Sequence, residues 1–590
     1  MRWTTVVALA TAGTLSLAAC GGSGSSGTNS NNNAGASNTA LGDAYEKVPA
    51  SAGQKPDVKG PAPEIPGAKK GGTLTFNSEV VPESTDPSTQ YYQDTAAILK
   101  LTTRTLTAYR MEGGKSVLVP DMATDLGQKS KDGLQWKFTL KPNLKYDDGT
   151  PIKASDVAYS IKRSFATEEL PGGPTFQIDY FKDGDKYKGP WKSGDTYSGV
   201  EADDAKGVIT INLARKFETL PYFASFTMFG AIPKAKDTKT NYQLKWAATG
   251  PYKVQSYTKG ASLTLVKNTN WDGQSDPARH QYPDTIQFNF GKDAATTAKA
   301  IMADNGIDQT SLTYDGVNAA VLQQALGAKR KQVASGPSNC VNWNGSTMDV
   351  NKIPLEVRKA VAAAWPIDQI HQAGGETPFD YSPGGTIGAP QVPGFTKFNL
   401  PEFPGKGQGD PAKAKAMLQA AGKLNFELSY YYSNDDEAAK NVNKVKVAQL
   451  QKAGFKVKAI GVSKTERRKK VRDPKAPVNL GQGVATGWCY DWPAGDSIYP
   501  PLFNSTLPNN GGAGNIRDKA LDKEMADISN LPVAEQGAKW TALDKKILQK
   551  YVPLVPNSYS KGSMIFGSKV HNVVIDPNQG IGDFPSIWVG

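Results

Sequence analysis

The chain has 590 residues, 38% of them hydrophobic and 9% aromatic, which is more than one ordinary core holds, so two or more lobes are expected. No run of about 20 apolar residues follows the first twenty positions, which excludes a membrane-spanning helix from the mature chain. The formal net charge of +12 comes from 68 Lys and Arg scattered among 56 Asp and Glu; without a paired basic and aromatic recognition module it argues against nucleic acid as a partner.

The N-terminus sets the compartment. Arg2 precedes a short apolar stretch that ends in Leu17-Ala18-Ala19-Cys20, which reads as a secretory signal peptide over 1–19. Those last four residues resemble the lipobox of bacterial lipoproteins, in which the cysteine thiol is diacylated and the chain is cut just before it. A plain signal peptide with an incidental cysteine is the competing reading. Residues 21–40 favour the lipid, because 15 of the 20 are Gly, Ser or Asn and such a segment behaves as a tether. The Pro-containing stretch to Lys70 is expected to continue it.

The folded elements then follow in order. Leu74 and Phe76 alternate with threonines in "GGTLTFNSEV", which predicts a strand. A turn at "STDPST" precedes an amphipathic helix over "TAAILKLTTRTL". "LQWKFTL" alternates as a strand, and the Asp148-Gly149 turn leads to a helix over "DVAYSIKRSF" with Ser155 as its expected N-cap. "GVEADDAKGVITINLA" and "TGPYKVQSYTKGASLTLVKNTNW" each predict two strands around a turn, and "YPDTIQFNF" predicts one more. Helices are expected at "PLEVRKAVAAAW", "DPAKAKAMLQAAG" and "EAAKNVNKVKVAQLQKAG". The last stops at Gly454 before the strand "FKVKAI", a helix–glycine–strand order typical of α/β crossovers. The dense basic run Lys464–Lys475 is read as a solvated loop or helix face.

Catalytic patterns are sparse. His280, His371 and His571 are far apart and form no metal-ligand spacing, so no metal and no cofactor is expected. No GxSxG nucleophile elbow occurs. Ser558-Tyr559-Ser560-Lys561 is a Ser-x-x-Lys without its companion motifs, so a secreted serine hydrolase is a minor alternative and the chain is read as a non-enzyme.

Four segments together resemble the extracellular solute-binding proteins of ABC transporters, family 5, the peptide and oligopeptide binders. They are "LQWKFTLKPNLKYDDGTPIKASDVAYSIKRSF", "TGPYKVQSYTKGASLTLVKNTNW", "NKIPLEVRKAVAAAWPIDQI" and "GWCYDWP", in the family's order. Two places depart from the family's habit: Ile367-Asp368-Gln369, where an Asp-Arg pair is common, and Asp491-Trp492-Pro493, where Asp-Tyr-x-x-Pro is common. The resemblance implies an α/β clamshell of two lobes, periplasmic-binding-protein-like and of the class II type. Lobe I would span 71–338, with an extra subdomain at about 115–190. Lobe II would span 339–552, and 553–590 would return to lobe I.

The resemblance also implies a cysteine pair at Cys340 and Cys489, in keeping with an oxidising compartment. It implies that Asp491, in a Trp-Cys-x-Asp setting, binds the free α-amino group of a peptide. Asp491, Trp492, Trp488 and Tyr490 are therefore the candidate ligand-binding residues. Strand alternation would send 488, 490 and 492 to one face and 489 and 491 to the other. Pro493 is expected to break the strand so that Trp492 bends into the cleft, and core packing is the competing role for Trp488 and Tyr490. The implied function is capture of a peptide between the lobes and delivery to an ABC permease. The body would be a monomer, held on the outer face of the cell membrane through the lipid at Cys20. An oligosaccharide, stacked on some of the eleven tryptophans, is the alternative ligand.

Overall fold

The computed structural model describes residues 44–590 except Ala52, Asp315, Asn318, Pro474 and residues 508–511. The expected signal peptide and Cys20 lie outside the described residues. No helix among the described residues is long and apolar enough to cross a membrane.

Residues 44–70, expected as tether, are part of the folded body. Tyr45–Lys47 pairs antiparallel with Gln128–Ser130. The Lys55 N–H donates to the Leu118 carbonyl at 2.9 Å, and Gln54 and Ala62 are buried. The Pro-containing, polar composition hid this, because the attachment is made largely by backbone groups whose partners lie elsewhere in the chain.

Three sheets organise the core. In the first, strands run in the order Ser311–Thr313, Thr73–Asn77, Thr285–Asn289, Ser262–Lys267, Tyr252–Thr258. Thr73–Asn77 is parallel to both its neighbours, so Thr75 is buried as well as Leu74 and Phe76. A strand paired on both sides inside a covered sheet loses the polar face that alternation predicts. Met564, Phe584, Ile587 and Val589 from the C-terminal tail share this core.

The second sheet is antiparallel: Tyr45–Lys47, Gln128–Ser130, Gln135–Thr139, Val208–Asn212, Val200–Asp203. Here alternation holds, with Trp136 and Phe138 buried and Gln135, Lys137 and Thr139 half-buried. Helix Ala154–Arg163 packs Val157 and Ile161 on this core. Its N-cap is Lys153, not Ser155: Asp156 accepts the Lys153 N–H at 3.0 Å, while the Ser155 hydroxyl bonds Asp204 at 2.8 Å.

In the third sheet, Val333–Asn342 lies between Ser558–Ile565 and Gly487–Cys489. Gly487–Cys489 is an edge strand. Helices Leu355–Ala364 and Val533–Tyr551 bury Val357, Val361, Leu543 and Ile547 in the accompanying core. Beside it, Glu427–Ser433 and Lys456–Val462 pair in parallel, joined by helix Glu437–Lys452 as the helix–glycine–strand order predicts. Gly454 ends the helix at φ +86°, a conformation that favours glycine.

Buried ion pairs fix the segments around the first two cores. Arg104 and Arg279 both reach Asp121, at 2.7 and 2.8 Å. Arg163 holds Asp86 at 2.6 Å and Asp237 at 3.1 Å, pinning the turn at "STDPST" to helix Ala154–Arg163.

Candidate functional site

A cavity of about 1660 Å³ is lined on one side by the 90–109 region and on the other by the 433–517 region. Trp488, Cys489, Tyr490 and Asp491 all line it. The strand ends at Cys489, so the alternation that would separate these side chains stops before it matters.

The backbone here is held from several directions. Cys340 and Cys489 face each other in register and are joined by a disulfide. The Tyr490 N–H donates to the Asn339 carbonyl at 3.1 Å, and the Asn339 side chain donates back to the Tyr490 carbonyl at 2.8 Å. Gln93, on helix Gln93–Thr102, donates to Asn339 Oδ1 at 2.6 Å. The position of Asp491 is thus set by a covalent bridge, a strand pair and a helix from across the cavity.

Asp491 is the unusual charge. Burial pushes its carboxyl up to about 7, a hydrogen bond from the Tyr91 hydroxyl partly opposes this, and Asp496 raises it further. Its Oδ2 is buried without a partner, and it forms no ion pair among the described residues. A buried carboxylate without a cation costs free energy until one is supplied.

Trp492 does not bend into the cavity, contrary to the expectation. It is buried against Phe176, Phe217, Phe223 and Phe226, with ring centroids 4.7–6.3 Å away. Its indole Nε1 donates to Asp496 at 2.9 Å. Pro493 ends the extended run, but the chain turns Trp492 toward the second core, where an aromatic cluster covers more of it than a solvated cleft would. Tyr490 is buried in the third core while lining the cavity floor. Trp488 is half-buried and donates from Nε1 to the Ser497 carbonyl at 2.9 Å.

Several lining residues had no signal in the sequence. Tyr91 and Tyr109 lie about 400 positions before Asp491 and nothing local couples them. A legible signal did exist in the basic run, which forms helix Lys464–Arg472. Residues 467, 468, 471 and 472 fall on one helical face, and that face lines the cavity.

The other candidate chemistries do not assemble. His280 stacks on Tyr282, His371 is buried beside Glu376 and Tyr381, and His571 bonds the Gly590 carbonyl at 2.9 Å. None lines the cavity, and no group of three or more metal-ligating side chains occurs among the described residues. Ser558 and Lys561 lie on a strand with opposite parity, so their side chains leave opposite faces.

Comparison with known proteins agrees with this architecture. Residues 117–510 match the model of the bacterial extracellular solute-binding proteins, family 5. The chain is 23% identical over 470 residues to the periplasmic murein peptide-binding protein MppA of Escherichia coli K12, covering 76% of this chain and 81% of that one. It is 23% identical over 465 residues to the periplasmic oligopeptide-binding protein OppA of Salmonella typhimurium, covering 73% and 77%. Among solved structures, the clavulanic acid biosynthesis oligopeptide binding protein 2 superposes with a TM-score of 0.79 at 25% identity, covering 92% of this chain and 99% of that one. An unliganded open form of MppA superposes at 0.70 with 18% identity, covering 89% and 99%.

Proposed function

The chain belongs to family 5 of the bacterial extracellular solute-binding proteins, and from that premise we propose that it captures peptides between two lobes and hands them to an ABC permease. The observation that carries this reading is Asp491: a buried carboxylate with an unpartnered oxygen and no cation, facing a cavity of about 1660 Å³. A peptide ammonium supplies the missing charge through charge-assisted hydrogen bonds, about twice as strong as neutral ones. A neutral oligosaccharide offers no cation to this position, so the peptide is the better ligand.

Edge strand Gly487–Cys489 gives the rest of the peptide a place to pair. It borders the cavity, and an extended ligand laid beside it gains main-chain hydrogen bonds that ignore side-chain identity. The ammonium then sets the register. The relatives named as binding murein peptides and oligopeptides support this assignment.

The lobe boundaries at 71–338, 339–552 and 553–590 are part of the same reading. The first and third hydrophobic cores support it, since the C-terminal tail packs with strand Thr73–Asn77. The second core is built from Leu106 to Ala231, with Trp492 and Ala494 added from the 339–552 segment; we assign its 106–231 part to the extra subdomain of lobe I, a wider span than 115–190. Lipid attachment at Cys20, on the outer face of the cytoplasmic membrane, completes the proposal. It is supported by the Leu17-Ala18-Ala19-Cys20 sequence.

The test compares peptides with free and acetylated N-termini, by calorimetry, against wild type and Asp491→Asn. Wild type binds the free form more tightly, and the variant loses about 2–5 kcal/mol for it. Equal affinity for both forms in wild type, or unchanged affinity in the variant, overturns the anchor.

A further inference from the structure

The wall of the cavity formed by helix Lys464–Arg472 has the opposite fault to Asp491. Lys464, Arg467, Arg468 and Arg472 line the cavity from this helix, and Arg517 joins them beside Asn515 and Ile516. None of these five cations forms an ion pair among the described residues. The carboxylates that line the cavity are Asp436, Asp473 and Asp491. Asp436 caps helix Glu437–Lys452, and Asp473 accepts the Lys475 N–H at 2.9 Å. Glu466, the one acid on the basic helix, is spent in the capping box with Ser463.

The helix is held in place so that this face stays turned to the cavity. Its Ser463 cap, the Arg467 Nε bond to the Tyr431 carbonyl at 3.3 Å, and the Gly483 N–H bond to the Val471 carbonyl at 2.7 Å fix its position. Val471, on the same helix, is buried with Tyr431, Ala476, Val478 and Ala485. Lys446, near Arg467, is pushed down to about 7, by burial first and by Arg467 second. Unpaired like charges packed together repel one another and are stabilised by an anion that arrives from outside.

One strip of chain joins the two ends of the cavity. Residues 482–491 line it without a gap, from Gly483 against the basic helix to Asp491 beside the disulfide. Eight residue steps span at most about 26 Å at 3.3 Å each, the length of an extended peptide of about eight residues.

The geometry points to an acidic peptide as the ligand, its ammonium at Asp491 and its carboxylates on the guanidinium wall of Arg467, Arg468, Arg472 and Arg517. This rests on the cavity being a peptide site and adds a charge preference to it. The carboxylates are the C-terminal one and those of Asp or Glu side chains in the C-terminal half. Arginine suits this task because its planar fork meets a carboxylate with two parallel hydrogen bonds.

The experiment is calorimetric titration of the full protein with two free-amine octapeptides, one neutral and one with two glutamates in its C-terminal half, at 50 and 300 mM salt. Wild type binds the acidic peptide about tenfold more tightly at low salt, and added salt shrinks the ratio. In Arg468→Gln/Arg472→Gln the ratio falls to near one, and in Arg472→Glu it drops further. Thermal unfolding of each variant reports that it is folded. Equal affinity for the two peptides in wild type, or a ratio unchanged by the arginine variants, overturns the charge preference while leaving peptide binding intact. Failure of both peptides to bind overturns the peptide reading and this inference together.

Discussion

The two ends of the cavity carry opposite unpaired charge and are supported in opposite ways. At one end a single acid sits beside a disulfide, on chain that pairs with the third sheet and is reached by Gln93 from across the cavity. At the other, several cations sit on a nine-residue helix packed on a two-stranded sheet. A lone buried carboxyl must be placed accurately, because it acts through one contact in a desolvated spot. A field of guanidiniums need not be, because any of several can meet the anion. On the proposed reading, the denser support lies where one group acts alone.

The disulfide gives the largest expected effect on this contrast. Its loop spans 149 positions, and the chain-entropy model assigns about 5 kcal/mol to closing it. Cys340→Ala/Cys489→Ala is expected to lose up to that much in urea unfolding. It is also expected to weaken binding of free-amine peptides more than of acetylated ones, because only the acid end is loosened. Equal weakening of both would mean the bridge serves the whole fold and not Asp491.

Next comes Trp492. Emptying its site in the aromatic cluster is expected to cost about 3–5 kcal/mol in Trp492→Ala. Trp488→Ala, at a half-buried cavity wall, costs less stability but changes peptide affinity. If Trp492→Ala alters affinity at unchanged stability, its assignment to the core fails.

The pH dependence is smaller and has a definite sign. Asp491 titrates at about 7 in the ligand-free protein, so below that pH it must release a proton before it can pair with an ammonium. Affinity for free-amine peptides should fall as pH drops below 7, approaching about tenfold per pH unit. Stability runs the other way. A carboxyl raised in the folded state stabilises below its unfolded value near 3.8 and progressively loses this as pH rises through 7. Ligand-free Asp491→Asn should therefore unfold at a higher temperature than wild type at pH 8, and at the same temperature below pH 4.

The smallest effect is expected at Lys469. It lies on the basic helix but does not line the cavity. Lys469→Gln should leave affinity for acidic peptides within about twofold, since solvent-exposed charges away from the ligand are screened. A loss equal to that of the Arg468 and Arg472 variants would mean that net charge, not the facing wall, attracts the ligand.

How far the sequence disclosed this depends on how local the governing interaction is. The strand Gln135–Thr139, the pair around Gly260 and the crossover ending at Gly454 were legible because periodicity and turn residues lie within one short window. Residues 44–70 were not, since backbone pairing with a distant sheet leaves no mark on composition. The contact of Tyr91 with Asp491 bridges 400 positions and was equally silent. Trp492 eludes the sequence because a break at Pro493 does not say which way the chain turns, and it turns into the aromatic cluster of the second core. The basic run forms a largely exposed helix, as expected of a solvated helix face, and the spacing of 467, 468, 471 and 472 groups them on the side that lines the cavity.

The docking of Tyr45–Lys47 onto Gln128–Ser130 has a consequence for how the protein stands at a bilayer. With the lipid we propose at Cys20, 24 residues separate the acyl chains from Tyr45. Fully stretched, they cover no more than about 90 Å. The described fold therefore starts at the edge of the second sheet, at Tyr45, and not at Thr73. If the proposed lipid is attached, a transporter beyond that distance can be met only after the acyl chains diffuse toward it within the leaflet.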